Sequence, residues 1–236
     1  MAAKYRQDPL NHPVYELGVA PGADVKTLAD IKGKKVAYSP GQAQGALVLR
    51  LLQKLGLKQS DVDLVEMPSV LDAYSNALAG NQVDVAPLGG VYIKRYVNDN
   101  GSKGGAVLKT GIRDDASFLY APDSVLADPD KAAAIKAYVK YWALAQRWEQ
   151  DHPEEWLEAY YEDNQGVSAA DGRWLIDNAG HAVIPTSWNQ AIAAHQKTID
   201  LLAHEEDKAD FKASTLWDLR YQHVAGEAFA SVGGSR

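Results

Sequence analysis

The 236-residue chain has no cysteine. That removes thiolate nucleophiles, disulfides and thiolate metal sites together. Long apolar runs are absent too, so no segment reads as a bilayer span. Basic residues are not in excess: 24 Lys and Arg stand against 31 Asp and Glu, a formal charge of −7. They are spread along the chain, so no nucleic-acid partner is expected. The start, Met1-Ala2-Ala3-Lys4-Tyr5-Arg6, lacks the apolar stretch of a signal peptide. The six histidines are scattered, with none paired at metal-ligand spacing. His204-Glu205-Glu206 has no second histidine at 208 and is not H-E-x-x-H. There is no G-x-S-x-G, no G-x-G-x-x-G and no P-loop. On these grounds no metal, no cofactor and no catalytic residue is expected.

What is present is an ordinary globular composition, 46% apolar and 23% charged, in a chain long enough for one large domain or two small ones. Residues 14–19 read as an edge or crossing strand stopped by Pro21-Gly22. Residues 34–39 read as a strand and 41–55 as a helix. Leu47, Val48, Leu51, Leu52 and Leu55 share one helix face, and Gly56 ends it. Strands follow at 64–67, 83–87 and 106–109, with helices over 70–79 and from 91. This alternation with short loops predicts an α/β fold, a parallel or mixed sheet covered by helices.

After one more strand at 117–121 the chain is nearly all helix. Asp128-Pro129 opens a helix to about 150, whose expected buried stripe is Ile135, Tyr138, Val139, Trp142 and Ala145. Further helix starts are read at Asp151-His152-Pro153-Glu154, at Ser168 and at Ser187. All six Trp lie between Trp142 and Trp217 and read as packing residues, with a ligand cage as the alternative. Residues 1–13 read as polar and irregular, and 231–236 as a loose tail. Asp114-Asp115 and Asp61/Asp63 read as solvated loop acids.

The turn Ser39-Pro40-Gly41-Gln42-Ala43-Gln44-Gly45 has two readings. Structurally, Ser39 to Gln42 fits an S-x-x-Q capping box with Pro40 at the first helical position. Functionally, a strand-to-helix turn in an open α/β sheet lies at the carboxyl ends of the strands, where ligands bind. Free N–H groups of Gly41, Gln42 and Ala43, at the positive end of a helix, suit an anion. Gly41 and Gly45 permit close approach. The second candidate turn, with Gly89, Gly90 and Tyr92, is also a strand end on a helix start and is expected beside the first. Its other reading is a tight connection with no ligand. Arg113 and Lys94-Arg95 either draw an anion toward that rim or are surface charges.

The order of several motifs carries a resemblance. Leu28-Ala-Asp-Ile-Lys-Gly-Lys-Lys-Val36-Ala37 is followed by the turn, a helix ending in Leu52 to Leu57, Asp61-Val62 to Pro68, and Ala77-Leu-Ala-Gly-Asn-Gln-Val-Asp84-Val85. This closely resembles the second lobe of ABC-importer solute-binding proteins for aliphatic sulfonates, taurine and nitrate. The segments DPDKAAAIKAYVKYWALAQRWEQDHPEEW and IPTSWNQAIAAHQKTIDLL resemble the same family, which covers about residues 14–218. The resemblance implies a type II periplasmic-binding-protein fold, with ligand held between two α/β lobes. It implies a complete second lobe over 22–113. It implies an incomplete first lobe over 1–21 and 114–236, mostly C-terminal helices, because residues 1–13 stand where the family carries an earlier segment. It further implies a small anionic solute, a membrane permease as partner and an extracytoplasmic setting. The implied ligand residues are Ser39, Gly41, Gln42, Ala43, Gln44, Gly89, Gly90 and Tyr92. The same superfamily includes desulfinases and thiamin-precursor enzymes, so an enzyme on this scaffold is the alternative, and a non-binding remnant a third.

Overall fold

The structure, a computed structural model, describes residues 2–70 and 72–232. The tail over 233–236 and Leu71, inside the expected helix over 70–79, lie outside the described residues. In chain order the elements are β1 (Ala2–Arg6), β2 (Tyr15–Val19), β3 (Lys35–Tyr38), α1 (Ala43–Leu55), β4 (Asp63–Glu66), α2 (Ala73–Ala79), β5 (Val85–Gly89), α3 (Val91–Asn100) and β6 (Ala106–Leu108). They continue with β7 (Ser117–Leu119), α4 (Asp123–Leu126), α5 (Pro129–Asp151), α6 (Pro153–Trp156), α7 (Ala169–Ala179), β8 (Ala182–Val183), α8 (Asn189–Glu206) and α9 (Gln222–Ser231). The chain divides into two compact units. One comprises Pro13–Asp114 and Asp200–Ala209; the other comprises Met1–His12, Asp115–Ile199 and Asp210–Arg236.

The first, an α/β unit, is built on a five-stranded sheet in the order β4-β3-β5-β2-β6. β3 runs parallel to β4 and β5, while β2 is antiparallel to β5 and β6. The sheet is therefore mixed, and residues 15–19 form an internal strand. Val36, Val85 and Ala86 are fully buried at its centre. Continuous apolar runs such as Val85-Ala86-Pro87-Leu88, all four buried, suit strands covered on both faces. α1 buries Leu47, Val48, Leu51 and Leu52, each contributing roughly 1.5–3 kcal/mol by leaving water. It closes at Gly56 as the sequence predicts, at φ +69°, with the Gly56 N–H donating to the Gln53 and Leu52 carbonyls. Gly18 admits α2 to the sheet, since a Cβ there would stand 2.6 Å from Leu78 Cδ1. Asp114 is no solvated loop acid: it accepts from the Val14 and Tyr15 N–H groups and fixes the entry to β2.

The second unit is mostly helical, around a three-stranded antiparallel sheet in the order β7-β1-β8. Residues 2–6, expected to be irregular, form its central strand, with Ala2 and Ala3 fully buried. Five residues with two small side chains give no period to read, and the pairing partners lie more than a hundred residues away. Asp115 is buried and accepts from the Arg6 N–H at 2.7 Å. Asp128 caps α5 as expected, accepting from the Asp130 and Lys131 N–H groups. The buried side of α5 is Ala132, Ile135, Val139, Trp142 and Ala143, an i, i+3, i+4 pattern. Tyr138, 60% exposed, and Ala145 face outward, which corrects the expected stripe. Ser168 caps α7 as expected. At 151–154 no capping box forms: His152 stands at the cap position, and Asp151 instead pairs with Arg147 at 2.9 Å. Trp188 and Trp217 are core residues, their rings 5.4 Å apart, with Phe118 edge-on to Trp217 at 5.3 Å. That supports packing for these two, while Trp148 is partly exposed on α5.

Candidate functional site

In the α/β unit β4, β3 and β5 are adjacent and parallel, so their carboxyl ends share one rim. The turns leaving β3 and β5 therefore start on the same side, as the sequence predicts. A cavity of about 550 Å³ opens there. Ser39, Pro40 and Gln42 line it from the turn after β3, and residues 66–69 line it from the end of β4.

The turn is held from beneath. The Met67 N–H donates to the Tyr38 carbonyl at 2.9 Å. The Ser39 hydroxyl donates to the Met67 carbonyl at 2.5 Å and shares a hydrogen bond with the Tyr74 hydroxyl. Burial pushes the Tyr74 phenol pKa up, with the bond to Ser39 acting the other way. Ser39 is thus a buried cross-link between two segments, not a helix cap. The cap position of α1 is Gln42, with no side-chain hydrogen bond to the helix. The capping box fails because Gly41, at φ +69°, turns the chain and delays the helix to Ala43. Gly45 is obligatory for the same turn: a Cβ there would lie 2.0 Å from the Ser39 carbonyl oxygen.

The Gly41 and Gln42 backbone donors are engaged rather than free. The Gln42 N–H donates to the Ser39 carbonyl at 3.2 Å. The Gly41 N–H donates to the Glu206 carboxylate, at 2.9 Å to Oε2 and 3.2 Å to Oε1. The Tyr38 hydroxyl donates to the same carboxylate. Burial first, and Glu206 second, raise the Tyr38 phenol pKa above its ordinary value. The turn after β3 therefore does hold an anionic group, one supplied by the end of α8.

Ala43 and Gln44 lie in the first turn of α1 and do not line the cavity. Gly89, Gly90 and Tyr92 stand at the neighbouring strand end but also outside the lining. Gly89 lets Tyr15 pack close, since a Cβ there would be 2.8 Å from its ring, and Gly90 turns at φ +56° into α3. Two contributions escape the sequence reading. Residues 67–69 follow from the same strand-end rule applied to β4. Glu206 is 165 residues from Gly41 and carries no local signal. Among the described residues no three His, Asp or Glu side chains gather to hold a metal ion.

Residues 8–108 match the family model described as NMT1/THI5 like. A Haemophilus influenzae protein named for thiamine biosynthesis is 34% identical over 76 residues, 30% of this chain and 24% of that protein. An Escherichia coli protein named for binding aliphatic sulfonates is 46% identical over 44 residues, 19% of this chain and 14% of that protein. The matched stretches thus span about a quarter or less of these relatives' length. Among solved structures, the periplasmic aliphatic sulphonate binding protein SsuA of Escherichia coli superposes with a TM-score of 0.72 at 22% identity, over 92% of this chain and 68% of that one. The desulfurization enzyme DSZB superposes with a TM-score of 0.58 at 14% identity, over 95% of this chain and 78% of that one. The fold is that of the type II periplasmic binding proteins. The resemblance read from the sequence, to the sulfonate-binding proteins of ABC importers, is borne out.

Proposed function

We propose that this chain is the solute-binding component of an ABC importer and that its solute is a small oxyanion of the sulfonate type. The observation that carries this reading is the turn after β3. Its Gly41 N–H and the Tyr38 hydroxyl hold two oxygens of a carboxylate at the positive end of α1. A sulfonate presents oxygens of the same charge and similar spacing. Ser39, Gly41, Gln42, Ala43 and Gln44 form one group of proposed ligand residues and Gly89, Gly90 and Tyr92 the other. Neutral donors suit a solute that must also leave. A permease partner, an extracytoplasmic setting and a second lobe over 22–113 belong to the same proposal. The enzyme alternative draws on the DSZB likeness. Against it stand the absence of cysteine from this chain and of histidine from the cavity lining.

The test is a thermal-shift screen with taurine, alkane and aryl sulfonates, sulfate and nitrate, repeated on Gly41→Asp. That substitution strains the φ of +69° and adds a negative charge at the proposed site. The expected result is a shift of several degrees for one sulfonate-like solute, lost in the variant. No shift with any member of the panel overturns the reading.

A further inference from the structure

α8 ends at Glu206, and Asp207 follows at φ +51°, the left-handed conformation that closes a helix. Glu205 and Glu206 therefore stand at the negative end of their helix, where a carboxylate is disfavoured. Each finds donors within the α/β unit instead. Glu205 accepts from Gln59 Nε2 at 2.9 Å. Glu206 accepts from the Gly41 N–H and the Tyr38 hydroxyl. Its carboxylate meets the positive end of α1, which offsets the penalty at the end of α8.

We propose that Glu206 is an internal occupant of the oxyanion site, so that a solute binds only when the Glu206 carboxylate leaves. This inference rests on the oxyanion reading above and adds its regulation. Gly41 has one N–H, and it cannot serve a carboxylate and a sulfonate at full strength together. The two anions compete for the same donors and repel each other. The apparent affinity for solute is then the intrinsic affinity reduced by the fraction of molecules with Glu206 released. Glu206 is half-buried, so its released carboxylate reaches water. The last turn of α8 is in this view a gate that sets a threshold solute concentration.

Calorimetric titration of the full chain with taurine, ethanesulfonate and sulfate, on wild type, Glu206→Gln and Glu206→Asp, tests this. Each variant's fold is verified by circular dichroism. An amide at 206 loses the charge, and the shorter aspartate loses the reach. Both variants are expected to bind the preferred anion at least about tenfold more tightly than wild type. In wild type, saturating anion should also move the Gly41 amide resonance, as the contact with Glu206 is exchanged for one with solute. Equal affinity in all three proteins overturns the inference and leaves the oxyanion reading standing. A gain in Glu206→Gln with none in Glu206→Asp assigns the effect to general repulsion and also overturns it. Absence of binding in all three folded proteins overturns the oxyanion reading and this inference with it.

Discussion

Gly45 and Gly56 sit near the two ends of α1 for different reasons, and the difference is measurable. At Gly56 the backbone lies at φ +69°, but nothing stands within 4 Å of an added Cβ. Replacement by alanine costs only the left-handed conformation, about 1 kcal/mol. At Gly45 an added Cβ runs into the Ser39 carbonyl oxygen, which is backbone and cannot swing aside. Gly45→Ala should therefore cost more, roughly 2–3 kcal/mol, and disturb the turn itself. Equilibrium denaturation of both variants checks the order; a smaller loss for Gly45→Ala would contradict the fold of the turn. Ser39→Ala leaves the Met67 carbonyl and the Tyr74 hydroxyl without their shared partner. A loss of about 1–3 kcal/mol is expected from the midpoint in urea, with little change in slope.

Elements differ in how far their signals are local. Gly56, Asp128 and Ser168 were legible because a cap is decided by its own residue and the next three. β3 and β5 were legible because both of their faces are covered, so apolar runs stand out. β1 was not, because partners at 117–119 and 182–183 make it a strand. The same divide runs through the site. The turn after β3 was visible as glycine-rich strand-to-helix punctuation, but Ser39 as a cross-link and Glu206 as an occupant depend on contacts far along the chain. α5 gives an element-scale test, since the expected stripe includes Tyr138 and Ala145, which face outward. Tyr138 points outward, so Tyr138→Ser should change stability by no more than about 0.5 kcal/mol. Val139, 1% exposed, should cost on the order of 2 kcal/mol as alanine. Thermal melts of the two variants read the helix orientation directly.

For the whole molecule, carboxylates of two kinds and one histidine set the pH dependence. Burial holds the His195 imidazole below its ordinary value of 6.5, so its contribution is present above 6.5 and is lost as pH falls through the lower folded value. Burial holds Glu16 and Glu149 above the ordinary value of 4.5, with Lys109 and Lys4 respectively pulling down. The folded state binds those protons more tightly than the unfolded chain. Their stabilising contribution is present below 4.5 and is lost as pH rises through the higher folded values. Asp30, Asp61 and Asp128 behave oppositely. Backbone N–H donors hold each below the ordinary value of 3.8, so their contribution is present above it and is lost as pH falls through the lower folded values. The two sets cross in the mildly acidic range. The buried glutamates accordingly favour a Tm that rises as pH falls toward 4.5, His195 opposes that rise below 6.5, and Tm drops as pH falls below 3.8. Glu149 is the group to remove, because it sits beside Lys4 and Tyr161 in the helical unit, where burial is its largest influence. Glu149→Gln keeps the shape and removes the titration, so the variant's Tm should gain less than that of wild type as pH falls toward 4.5, while the acid limb stays. Scanning calorimetry of wild type and variant across that range decides it. An identical pH dependence in the variant would assign the effect to Glu16, and a Tm falling from neutral pH toward about pH 5 in wild type would mean that His195 outweighs the buried glutamates.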